Sequence, residues 1–233
     1  MRRPIVIVGG MGPQASVRLH QLTLQHSRRY HSGAGHEYPY IVHFSVPVQD
    51  FISDSTHKNA ALAQLCALAP LVAALNPSCI ALACNTAHLL ANEVPYLHGK
   101  SFVSLLETVV KQLEHDEVCT VGLLASPTTI RTRLYEKYLH AAGIAAIRPN
   151  DQQLTAIENT IRSVITMQPA RIPAQQLAPI ASSLASRGAE AILLGCTELP
   201  LVYQQGSVAI PVYDCLDLYA QAITRHYYLY NGV

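Results

Sequence analysis

Short apolar runs recur along the chain, each followed by a longer stretch with helical spacing of its apolar residues. Ile5–Val8, Tyr40–Val46, Cys79–Cys84, Val118–Leu124, Ile144–Ile147 and Ala191–Gly195 read as strands, with shorter ones near Phe102–Leu105 and Ala209–Val212. Several are continuously apolar, as strands buried on both faces are. Helical spacing covers Gln14–Tyr30, His57–Leu75, Ile130–Ala142, Leu154–Thr166, Ala174–Ser186 and Leu216–Tyr228. In the second of these, Ala61, Leu62, Leu65, Cys66, Leu68, Ala69, Val72 and Leu75 share one broad face. Gly188 follows the last periodic residue of the fifth and reads as its stop signal. Strand alternating with helix predicts α/β layers around parallel sheets.

The pattern also repeats. Ile5-Val6-Ile7-Val8 runs into a turn ending at Pro13, and Val121-Gly122-Leu123-Leu124 runs into Ser126-Pro127. Pro13 precedes Cys84 by 71 positions and Pro127 precedes Cys196 by 69. Each cysteine ends an apolar run and has a threonine beside it, in Asn85-Thr86 and in Thr197. Two related halves would each carry one cysteine at the carboxyl end of a parallel strand, where open α/β sheets bind ligands.

Composition narrows the choice of partner. Half of the 233 residues are hydrophobic and 13% are charged, enough to fill a core. Sixteen basic and fifteen acidic side chains leave a formal charge of +1, which argues against a nucleic-acid partner. The long apolar stretch Ala67–Cys84 is interrupted at Asn76-Pro77-Ser78, short of the ~20 residues of a membrane span. Met1-Arg2-Arg3 is followed by too short an apolar run for a signal peptide, so a cytoplasmic protein is expected. Cysteines stand at 66, 79, 84, 119, 196 and 215, without Cys-x-x-Cys pairs or zinc spacing. Cys66, Cys79, Cys119 and Cys215 are assigned to packing.

Cys84 and Cys196 are read differently. A thiol at a strand-to-helix turn meets backbone N–H groups that favour its thiolate. Two such thiols facing one cleft suit removal of a Cα proton from one side and its return from the other. Asn85, Thr86, Thr197, Ser126 and Thr129 are donors placed to stabilise the enediolate-like carboxylate. No metal or other cofactor is needed for that step.

These residues resemble the aspartate/glutamate racemase family, most closely its aspartate racemase branch. The resemblance rests on Gly9-Gly10-Met11-Gly12-Pro13, Ala83-Cys84-Asn85-Thr86-Ala87-His88, Ser126-Pro127-Thr128-Thr129-Ile130 and Gly195-Cys196-Thr197-Glu198-Leu199-Pro200. It implies two similar three-layer α/β domains with mainly parallel sheets, related by a pseudo-two-fold axis, with the active site in the cleft between them. It also implies a cofactor-independent two-base mechanism through Cys84 and Cys196, an acidic amino-acid substrate touched by Met11 and Gly12, and a homodimer. Residues 1–99 with 211–233 would form the first domain and 100–210 the second. Aspartate-specific members commonly carry an arginine where Ile52-Ser53-Asp54-Ser55-Thr56 has Ser55. Lys58 and Arg162 are the candidate replacements. His88, four residues beyond Cys84, is either a tuner of that thiol or a capping or packing residue, and Glu198 either neighbours Cys196 or caps a helix.

Two rivals remain. Gly10-Met11-Gly12-Pro13-Gln14-Ala15 fits a dinucleotide fingerprint, yet no acidic residue closes a second strand about 20 positions on. An NAD-binding oxidoreductase is therefore the weaker alternative, beside a non-catalytic binding protein of the same fold.

Overall fold

The computed structural model describes residues 3–54, 56–168 and 175–229. Two four-stranded parallel sheets organise them. The first has the order β2-β1-β3-β4, from β1 (Ile5–Gly9), β2 (Ile41–Ser45), β3 (Cys79–Leu82) and β4 (Phe102–Val103). The second repeats it as β6-β5-β7-β8, from β5 (Thr120–Leu124), β6 (Ala145–Ile147), β7 (Ala191–Leu194) and β8 (Val212–Asp214). The sequence repeat is thus a repeat of topology, in which β3 and β7 occupy the same place.

Helices cover both faces. α1 (Pro13–Ser27), α4 (Leu105–His115), α6 (Leu134–Ala141) and α9 (Cys215–Leu229) lie in the layer shared by the two sheets. One apolar cluster runs through that layer, joining Ile5, Ile7 and Ala81 of the first sheet to Val121, Leu123 and Leu193 of the second. The alternate strand residues point outward. Val6, Val8 and Leu82 pack under α2 (Lys58–Cys66) and α3 (Ala69–Leu75). Leu124, Ile192 and Leu194 pack under α7 (Asp151–Ile165) and α8 (Leu177–Ser186). Strands apolar at every position are therefore sandwiched on both sides. The short helix α5 (Pro127–Arg131) opens the second half, capped by the Ser126 hydroxyl.

Several elements depart from the sequence pattern, each for a local reason. The expected helix His57–Leu75 is divided, because Pro70 lacks an N–H and its ring crowds the carbonyl four residues back. Although residues 58–75 are apolar enough for a span, helices of nine and seven residues are too short to cross a bilayer. Ile130–Ala142 is likewise broken, at Arg133, whose φ is 55°. Helix α4 lies where only a strand ending at Leu105 was expected. Its signal is in the sequence: Ser104 caps the Glu107 N–H, and Leu105, Leu106, Val109, Val110 and Leu113 form its buried face. The start of Ala174–Ser186 lies outside the described residues, and the helix is seen from Leu177.

The strands also cross the expected domain boundaries. Phe102–Val103 pairs with β3 although it follows residue 99, and Val212–Asp214 pairs with β7 although it follows residue 210. Helix α9 packs on α1, and its Tyr219 hydroxyl accepts from the Leu82 N–H while donating to the Val103 carbonyl. Cys119 corrects its packing assignment: it precedes β5 and is exposed. Cys79 and Cys215 are fully buried and Cys66 partly so.

Candidate active site

Cys84 and Cys196 are each the second residue beyond an equivalent strand, β3 and β7. Parallel strands point the same way, so both thiols emerge at the carboxyl ends of the sheets, where the halves meet. A cavity of about 150 Å³ opens there between the first sheet's loops and α7. Met11, Gly12, Cys84, Thr86 and Arg162 line it, together with Val48, Asp50, Phe51, Ile52 and Ile165. Its size suits one small molecule and is below the ~300–1,000 Å³ usual for larger ligands. The other expected residues, Cys196, Asn85, Ser126, Thr129 and Thr197, do not line this cavity and are buried, none more than 5% exposed.

Hydroxyls join the halves. The Thr86 hydroxyl lies 2.9 Å from that of Ser126 and 3.1 Å from that of Thr129, and Ser126 donates to Thr129 at 3.0 Å. Asn85 is tied elsewhere: Tyr135 donates to its side-chain oxygen, and its amide donates to Cys215 at 3.5 Å. That orientation makes Asn85 a link between β3, α6 and α9. Tyr135 was not legible as a site residue, since a tyrosine in an amphipathic helix reads as core.

The two thiols have different neighbours. Burial, then the Glu198 and Asp50 charges, push the Cys84 thiol up to about 12, against the pull of the Ala87 and Thr86 N–H groups. Burial also pushes up Cys196, reinforced by Glu198 and by the charge that Cys84 would carry. The Cys196 thiol donates to Glu198 Oε2 at 3.0 Å, and the Thr197 hydroxyl donates to the same oxygen at 3.1 Å. Burial in turn raises the Glu198 carboxyl above its ordinary value of 4.5, opposed by these two hydrogen bonds. Its other oxygen has no hydrogen-bond partner among the described residues. That oxygen would lie 2.4 Å from a Cβ placed on Gly12, so glycine is what lets the second half approach the first turn. The glycine pattern thus serves a carboxylate from the other half, and the pyrophosphate of a dinucleotide would compete for that space.

His88 proves to be a cap. Its Nε2 accepts the Leu105 N–H at 3.2 Å, so its Nδ1 carries the proton given to the Cys84 carbonyl at 2.8 Å. It holds the Cys84 turn against the start of α4, and burial pulls it down to about 4. Lys58 turns to Glu93 at 3.3 Å and does not line the cavity. Arg162 does, held by Asp50, Glu158 and Ser53. Asp50 has no signal in the sequence beyond being acidic, whereas Glu158 stands at i,i+4 spacing from Arg162 on one helix. Ser55 lies outside the described residues.

Fold and site together define a two-domain α/β protein with Cys84 lining a cavity and Cys196 buried at the equivalent strand end of the other half. A sequence profile described as Asp/Glu/hydantoin racemase matches residues 8–223, and the chain belongs to this family, a family of isomerases. A broad-specificity amino-acid racemase, RacX of Bacillus subtilis, is 23% identical over 98% of the chain and all of its own length. The aspartate racemase of Picrophilus torridus superposes with a TM-score of 0.79 at 21% identity, over 97% of this chain and 100% of that one. An aspartate racemase homologue from Pyrococcus horikoshii gives 0.76 at 24%, over 95% and 97%.

Proposed function

We propose that the chain is a cofactor-independent amino-acid racemase in which Cys84 and Cys196 exchange the Cα proton of a substrate held between them. The observation that supports this most is their placement at equivalent strand ends, one lining the cavity and the other hydrogen-bonded to a buried carboxylate. One thiolate takes the Cα proton, and the freed electron pair moves into the substrate carboxylate as an enediolate. The opposite thiol then gives its own proton to the other face of Cα. Each pKa unit separating thiol and Cα–H costs ~1.4 kcal/mol, so stabilising the enediolate is the larger task. Thr86, with Ser126 and Thr129 behind it, and Arg162 are the donors for it. Glu198 gives the Cys196 proton a place to go, whereas Cys84 relies on the backbone N–H groups of its turn. The resting thiols are mostly protonated, so substrate must help create the thiolate, and its ammonium group is suited to that.

The aspartate-branch motifs imply an acidic substrate, and Arg162 is the single cation lining the cavity among the described residues. The test is incubation with single L- and D-amino acids in heavy water, without pyridoxal phosphate or metal. Deuterium should enter Cα and the opposite enantiomer should appear. Full activity of Cys84→Ser or Cys196→Ser would overturn the two-thiol mechanism. Silence with every common amino acid would favour the binding-protein reading.

A further inference from the structure

An amino acid brings one ammonium and one α-carboxylate, which cancel, so its side chain decides the net charge a site must accept. Arg162 is the sole cation among the described residues lining the cavity, and it is already matched. Its guanidinium donates to Asp50 at 2.9 Å and to Glu158 at 2.9 Å, and also contacts the Ser53 hydroxyl. The mouth continues past Asp54 and His57. Of the other nearby cations, Lys58 pairs with Glu93, and Arg131 donates to the Ser53 carbonyl on the outside. Elsewhere the walls are Met11, Val48, Phe51, Ile52 and Ile165. Asp50 and Glu158 together outweigh the Arg162 guanidinium by one charge.

We propose that the substrate is an amino acid whose side chain carries no carboxylate. Arg162 can meet one carboxylate, and every amino acid presents its α-carboxylate. A second would face Asp50 and Glu158 with no unpaired cation lining the cavity among the described residues. A neutral side chain meets the apolar walls without that penalty. Asp50 and Glu158 are then specificity-determining residues. The inference rests on the racemase reading and narrows it.

The test pairs near-isosteres. Cα deuterium exchange by the intact protein is followed by proton NMR for asparagine against aspartate and glutamine against glutamate, with alanine and leucine beside them. The neutral member of a pair, or failing that alanine or leucine, should exchange at least tenfold faster than the acidic ones. Asp50→Asn retains the oxygen that accepts the Ile52 N–H and removes the charge, and it should shrink the ratio several-fold. Aspartate or glutamate exchanging as fast as every neutral amino acid overturns the inference and leaves the racemase reading standing. Exchange of no amino acid at all overturns that reading and the inference with it.

Discussion

Replacing Glu198 by glutamine tests the asymmetry of the two thiols. The substitution keeps the side chain's shape and an oxygen able to accept from Cys196, but removes the charge 3.0 Å from Sγ. At an effective dielectric constant of about 20, a full charge at that distance is worth about 5 kcal/mol. Burial also raises the Glu198 carboxyl above its ordinary value. A fall in the Cys196 pKa is therefore expected, because the Glu198 charge helps to hold it up. Alkylation by iodoacetamide, read at the Cys196 peptide by mass spectrometry across pH, measures it. At pH 7 the variant should react at least tenfold faster at Cys196, with a smaller change at Cys84. Racemisation should nevertheless fall by about 10²-fold or more, since the thiol has lost its neighbouring proton acceptor. Stability should move the other way. A carboxyl whose folded-state pKa is raised costs stability as pH climbs from its ordinary 4.5 through the folded value. The variant should thus melt higher than the parent at pH 8, with the gap closing toward pH 4. Unchanged or slower alkylation of Cys196 would refute the electrostatic account.

Two other perturbations probe the frame around the thiols. Tyr135→Phe leaves the buried Asn85 oxygen without its donor and should cost about 1–3 kcal/mol in urea unfolding, with weaker racemisation because Asn85 adjoins Cys84. His88 titrates near 4 in the folded protein and near 6.5 when unfolded, so folding should lose up to about 3 kcal/mol as pH falls from 6.5 to 4. His88→Asn should flatten that slope, and an equal slope in parent and variant would assign the acid sensitivity elsewhere.

Much of the fold was legible because burial on both faces writes itself into composition. Ile5–Val8 and Ala191–Leu194 are apolar at every position, and no surface strand of a water-exposed sheet would be. The spacing from proline turn to cysteine carried the repeat, since equivalent turns and strands keep equivalent lengths. Breaks were harder. The apolar face of His57–Leu75 predicts one helix, yet the backbone chemistry of Pro70 overrules the side-chain pattern, and Val118–Leu124 predicts a strand that begins only at Thr120. Helix α4 was missed although Ser104 and Glu107 announce its start, because Phe102–Leu105 had been read as strand.

The sequence by itself determined the α/β class, the two related halves, and the two cysteines that stand apart from the other four. Those are local or periodic properties, written in neighbouring residues. Only the tertiary structure decided what surrounds the thiols. Glu198 meets Cys196 by local geometry, but it reaches Gly12 only because the halves fold onto one another. Glu158 and Arg162 are neighbours on one helix turn, but Asp50 is 112 positions from Arg162 and meets it only in space. Electrostatic environment depends on distance and burial, and neither is encoded in the spacing of a motif.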